Sequence, residues 1–245
     1  MEEIIFKIKK EIEKDYNIKK PIIVEFIPSK DFPKKINTLS LKSIGEEIVR
    51  KDEKVDGYLF INNKKDNIYL AIDEKITPYN IQIFTHEMAH IVTYPNTNLK
   101  SIFNKNNKYA ILGYDFWIEL VATYLGNILF MKYDGILLNH VKEDKFILYT
   151  NKLIDNIYNK NDLISLYELL SILNISSFKF EKKDFQGLEK IYEYSKKLLN
   201  KNNLKNITVS ELIKLGKLVN RVNENFGKEN LKWISQKIVD IYLIY

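Results

Sequence analysis

The sequence predicts an α+β protein: a small antiparallel or mixed sheet with two central helices, followed by a mainly helical C-terminal part. Three observations carry this reading. All five prolines (Pro21, Pro28, Pro33, Pro78 and Pro95) fall in the first 95 residues, so a turn-punctuated first part precedes a long stretch free of the strongest helix breaker. Two short β-rich segments, GYLFI at 57–61 and NIYLAI at 67–72, are separated by the polar stretch NNKKD. Beyond residue 108 the apolar positions recur at helical spacing. Residues 1–132 therefore read as the core. Residues 133–245 read as a helical region that either packs on that core or stands as its own domain.

The elements follow in order. Apolar residues at 4, 5, 8 and 12 give a helix over 3–15. The β-branched run 22–27 after Pro21 reads as a strand, and 40–50 as a helix. The segments 57–61 and 67–72 are expected to pair as antiparallel neighbours in a hairpin. Thr77-Pro78 predicts a helix start, with Thr as the N-cap and Pro in the first turn. That helix should end near Thr93, because Pro95 disfavours helical geometry at Tyr94. A polar Asn-rich loop leads to a helix over 109–132, and further helices are expected at 137–158, 162–173, 185–199, 209–220 and 229–244. Thr208 and Glu211 form a capping-box pattern opening the fourth of these.

Composition narrows the function classes. The chain has 245 residues with 45% hydrophobic and 29% charged side chains, ordinary for a globular protein with a substantial core. The net charge of +6 comes from 36 lysines scattered among acids and only two arginines, Arg50 and Arg221. Bidentate readout of bases and phosphates favours Arg, so specific nucleic-acid binding is not expected. The N-terminus places two acids directly after Met1 and has no continuous apolar segment, which does not fit a secretory signal. The apolar run 117–131 contains Glu119, Thr123 and Asn127 and is too short and polar to cross a bilayer. The expectation is a cytoplasmic protein without membrane partners.

There is no Cys, and the three His are at 86, 90 and 140. Two of them form His86-Glu87-Met88-Ala89-His90, an H-E-x-x-H motif on the expected helix over 77–93. Residues i and i+4 share one helix face, so both imidazoles can bind a single zinc ion. Glu87 beside them can take a proton from the zinc-activated water. Random placement would produce the motif roughly 0.003 times in a chain of this composition. His140, on an apolar-faced segment, reads as structural.

A catalytic zinc needs a third protein ligand, and without Cys that ligand is His, Asp or Glu. The metzincin extension fails, since residues 93 and 96 are Thr and Asn. The close-spaced glutamate of thermolysin-like enzymes fails too, since residues 109 and 110 are Tyr and Ala. Glu119 remains: it is the one charged residue in the apolar run 117–131, where an unpaired carboxylate is costly. Ala122 and Ala89, two of only four alanines, sit where two ligand-bearing helices would need to approach. Asp115, one turn before Glu119, is an alternative ligand or a partner for a ligating imidazole.

HEMAH followed, after 28 intervening residues, by Glu119-Leu120-Val121-Ala122 resembles the gluzincin group of zinc metallopeptidases. With Leu125 and Leu129, this pattern is also loosely similar to the ImmA/IrrE-type peptidases. The resemblance covers roughly residues 55–132. It implies a zincin-like core of strand, active-site helix and glutamate helix, with His86, His90 and Glu119 holding one zinc ion and Glu87 as general base. The chain departs from the ImmA/IrrE pattern in lacking charged and small residues around the glutamate and in adding over a hundred helical residues, so repressor cleavage is not implied.

The function expected is therefore a zinc-dependent metalloendopeptidase acting on a protein or peptide substrate. Tyr124, five residues past Glu119, is a candidate donor to the oxyanion, with Tyr114 a second choice among 16 tyrosines. The segment 57–61 reads equally as an ordinary internal strand or as an edge that aligns an extended peptide. The rival function is a zincin-like scaffold that acts by binding through its helical region. Against it stands the intact Glu87, which a scaffold does not require.

Overall fold

In the computed structural model, eight helices and one three-stranded mixed sheet make up the residues described here: 2–45, 47, 55–61, 64–73, 75–93, 107–133, 143–160, 162–175, 179–180, 186–199, 204 and 207–221. The elements are α1 (Glu2–Asp15), β1 (Ile22–Pro28), α2 (Phe32–Ile44), β2 (Gly57–Ile61), β3 (Asp66–Ile72), α3 (Pro78–Thr93), α4 (Lys108–Tyr133), α5 (Glu143–Lys160), α6 (Leu163–Ile175), α7 (Gln186–Leu198) and α8 (Val209–Asn220). The protein is α+β and mainly helical, as the periodicity predicts. The expected helix at 229–244, the start of the one at 137–158, and His140 lie outside the described residues.

The sheet runs in the order β1-β3-β2. β2 pairs antiparallel with β3, as expected for a hairpin, while β1 adds to the other side of β3 in parallel. Alternation along the strands gives the sheet two faces. Tyr58, Phe60, Tyr69, Ala71 and Ile27 point to one face and pack with Phe32 and Ile36 of α2. Gly57 on the other face meets α3. β3, the central strand, is buried along nearly its whole length, and Asp66 at its start is neutralised by Lys20 at 2.6 Å.

One helix differs from expectation. The sequence places a helix at 40–50, whereas α2 begins at Phe32 and ends at Ile44. Pro33 sits in the first turn, where its missing N–H costs nothing, and so acts as a helix starter and not a breaker. Gly45, at φ +79°, ends the helix in the left-handed conformation that a side chain disfavours.

Chain packing divides into two compact units, Met1–Val92 with Leu125–Gly135, and Thr93–Tyr124 with Ile136–Tyr245. The first contains the sheet, α1 to α3 and the last turns of α4, whose Lys132 bonds Glu11 of α1 at 2.9 Å. In the second, α5 packs on α6, α6 on α7, and α7 on α8. Its core includes Leu153, Ile157, Leu166, Leu169, Leu173, Ile191, Tyr192, Leu212 and Leu215, all nearly or fully buried. The capping box of α8 forms as the sequence predicts, with Glu211 N–H donating to Thr208 Oγ1 and Thr208 N–H donating to the Glu211 carboxylate. No helix among the described residues is long and apolar enough to cross a membrane.

Candidate metal centre

The helix that carries H-E-x-x-H is fixed at its start by side-chain bonds. Asn80 Oδ1 accepts from the Thr77 N–H and from the Thr77 hydroxyl, each at 2.8 Å. Its amide donates to the Ala71 carbonyl at 2.7 Å. One buried side chain thus caps α3 and ties it to the end of β3. Ile81, Phe84, Met88, Ala89 and Val92 then bury the core side of the helix. His86, Glu87 and His90 remain half-buried on its other side, where a ligand and solvent can reach them.

The two imidazoles converge. Their Nε2 atoms are 3.1 Å apart, with ring centroids at 4.7 Å and planes at 87°. Two nitrogens bound tetrahedrally to zinc at its usual bond length would lie about 3.3 Å apart. The donor spacing already fits one ion. Glu119 supplies the third donor: one ligand atom from each of His86, His90 and Glu119 lies within 4.8 Å of the others. Among the described residues this is the one group of three or more His, Asp and Glu side chains so gathered. Two nitrogens and one carboxylate are donors that suit zinc and leave a fourth position open.

Why α4 presents Glu119 there follows from its small residues. A Cβ on Gly126 would stand 3.0 Å from both the Cα and the N of His86, so the last turns of α4 lie directly on the backbone of α3. Glu119, Ala122 and Gly126 are spaced i, i+3, i+7, one stripe of a helix. The sequence reading found Ala122 but not Gly126, although that spacing was the available signal. Toward its other end, α4 meets α8 just as closely. A Cβ on Gly113 would overlap the Leu212 carbonyl, and one on Gly216 would overlap the Tyr109 carbonyl. The ligand-bearing helix is therefore seated by backbone contact on both sides of Glu119.

Glu87 faces β2. A Cβ on Gly57 would come to 3.2 Å from Glu87 Oε1 and would overlap Ile83 Cγ2, so only glycine lets the strand lie this close to the carboxylate. Among the described strands β2 lies at an edge of the sheet. Tyr58, next along β2, has its phenol held protonated above the usual range by burial and then by the Glu87 charge.

The remaining candidates are dispersed. Asp115, one turn before Glu119, has its carboxyl pushed up by burial and then by the Glu119 charge, so the two carboxylates repel each other. Tyr124 is half-buried, its phenol raised by burial alone. Five residues correspond to about 140° of helix rotation, so α4 presents Tyr124 and Glu119 to different sides. Tyr114 is buried. A residue that the sequence did not single out is Tyr167 of α6, whose ring meets Phe116 edge-on with centroids 6.2 Å apart. Its phenol is raised by burial and then by Glu119, ahead of Glu168 and Asp162. No family model, curated protein or solved structure matches the chain.

Proposed function

We propose that the protein is a zinc-dependent metalloendopeptidase with a zincin-like core formed by the sheet, α3 and α4. The observation that carries this reading is the convergence of His86, His90 and Glu119, with Glu87 next to His86 on the same helix. His86, His90 and Glu119 are the residues that would hold the ion. Zinc bound there would supply Lewis acidity, polarising an amide carbonyl and lowering the pKa of a water towards about 7.

Glu87 is the proton carrier. Its carboxylate takes the proton of the attacking water and passes it to the nitrogen of the leaving amine, so charge does not build up on either. The adjacent edge strand supports a polypeptide substrate in particular. An extended chain can add to β2 by main-chain hydrogen bonds and so lie beside Glu87, in an orientation that Gly57 permits.

The test is metal content and hydrolysis of a mixed peptide library, with wild type beside Glu87→Gln. The Gln chain should retain one zinc and lose hydrolysis by about 10²- to 10⁴-fold. Equal cleavage by both proteins would remove Glu87 from the mechanism. Stoichiometric zinc with no cleavage by wild type would favour the scaffold function instead.

A further inference from the structure

Tyr79 of α3 is the most exposed large hydrophobic side chain of the first unit among the described residues, at 54%. Anchoring of the helix start does not need it, because Asn80 already caps α3 and ties it to β3. Its hydroxyl nevertheless has a fixed partner, donating to Asp56 Oδ2 at 3.1 Å. Asp56 directly precedes Gly57, whose backbone is pressed on Ile83 and Glu87 of the same helix. Tyr79, Ile83, His86 and His90 are spaced i, i+4, i+7 and i+11, one stripe of α3. A flat ring with a carboxylate at its tip therefore stands on the stripe that carries the motif, joined to the start of the edge strand. From Tyr79 to His86 the helix rises about 10.5 Å, the reach of about three residues of an extended chain.

We propose that Tyr79 and Asp56 form a subsite for a cationic side chain of the polypeptide substrate, arginine in particular, about three residues from the scissile bond. This rests on the metalloendopeptidase reading and on a substrate that adds to β2. The chemistry of the pair selects the occupant. A guanidinium stacks on an aromatic face and presents its N–H fork at the edge of its own plane. Laid on the Tyr79 ring, it reaches the carboxylate to which the phenol is bound. A carboxylate has about four acceptor positions, more than one phenol uses. The phenol bond also holds the ring before the substrate arrives, so less freedom is lost on binding. An acidic side chain there would meet the Asp56 charge, and an aliphatic one would gain only the ring. Lysine, a point charge on a flexible stem, matches the pair less well than arginine.

The test is a set of peptides cleaved at one bond and varied, at each residue up to the fourth on either side, among Arg, Lys, norleucine and Glu. The readout is kcat/KM for each peptide relative to its norleucine form. Near the third residue on one side, wild type should favour Arg about five- to tenfold, with Lys between, and the difference should lie in KM. Asp56→Asn and Tyr79→Ala should each bring that ratio towards one, with zinc content of the same samples unchanged. Tyr79→Phe keeps the ring and removes its bond to Asp56, so it should retain part of the preference. A wild type indifferent to charge at every position, or a preference that survives in both Asp56→Asn and Tyr79→Ala, would overturn the subsite and leave the reaction standing. Loss in Tyr79→Ala alone would overturn it too, since the ring would then act without the carboxylate. A wild type that cleaves no peptide would overturn the metalloendopeptidase reading itself, and the subsite with it.

Discussion

Gly126 of α4 lies flat on His86 of α3: a Cβ at residue 126 would stand 3.0 Å from both the Cα and the N of the histidine. The distance between the helix that brings two imidazoles and the helix that brings a carboxylate is thus set by the absence of one methyl group. The atoms it would meet are backbone, which cannot swing aside as a side chain does.

Gly126→Ala should therefore separate the ligands. The helix gains up to about 1 kcal/mol from the better helix former, offsetting part of the overpacking cost of about 1–3 kcal/mol. Thermal stability of the metal-free protein should change little. Zinc affinity should fall about tenfold, because α3 and α4 must part by a few tenths of an ångström at His86. Dye competition reads this directly, and unchanged affinity would show that the helices adjust without disturbing the ligands. Gly126→Val should lower both stability and affinity.

The Asn80 bonds predict a loss of stability at a distance from the chemistry. Asn80→Ala removes the cap on Thr77 and the donor to the Ala71 carbonyl together, costing about 2–3 kcal/mol. Asn80→Asp keeps the acceptor for Thr77 but has no amide to give Ala71, and should cost more than the cap alone would suggest. Urea unfolding midpoints of the three proteins separate these contributions. Equal stability of wild type and Ala would mean that water replaces both bonds.

Local signals were readable in advance, and tertiary ones were not. H-E-x-x-H is a statement about one helix face, and Glu119 stood out because a lone carboxylate in an apolar run needs a reason. The N-cap at Thr77 and the capping box at Thr208 are equally local. The start of α2 was misplaced because Pro33 can open a helix or break one, and only the core places of Phe32 and Ile36 decide which. Gly57 and Gly126 carry no signal by themselves, since a glycine within a strand or helix reads as a weakness until the neighbour pressed on it is known. Tyr79 was one of 16 tyrosines, and nothing in its own segment points to a carboxylate 23 residues earlier.

Alkaline pH should unfold the protein through its buried phenols. Burial, and then the Glu193 charge, push the Tyr192 hydroxyl up to about 12. Burial likewise raises Tyr69 and Tyr194. A folded pKa above the unfolded value of about 10 means that the folded chain holds its proton more tightly. The stabilisation is fully present below pH 10 and is lost as pH rises towards 12. Tyr192 alone contributes up to about 1.4 kcal/mol per pH unit within that window. Urea unfolding between pH 10 and 12 should show a steep fall in stability. Tyr192→Phe should flatten the slope, whatever it does to the baseline, and an identical slope would mean that the phenol ionises freely in the folded chain.

Gly57→Ala tests whether the edge strand and the proton carrier are mechanically joined. The added methyl overlaps Ile83 Cγ2 and crowds Glu87 Oε1, so either β2 lifts from α3 or the carboxylate turns away. Stability should fall by about 1–3 kcal/mol, and hydrolysis should fall while zinc content holds, since the ligating histidines are not touched. Ile83→Leu removes the β-branch that the methyl strikes and lengthens the side chain away from it. Combined with Gly57→Ala, it should recover stability in a double-mutant cycle with a coupling of about 1 kcal/mol. If activity returns with stability, Glu87 was displaced through Ile83. If stability returns and activity does not, the methyl acts on the carboxylate itself, at the 3.2 Å separation from Oε1. Loss of zinc in Gly57→Ala would contradict both, because it would mean that β2 supports the imidazoles and not the base.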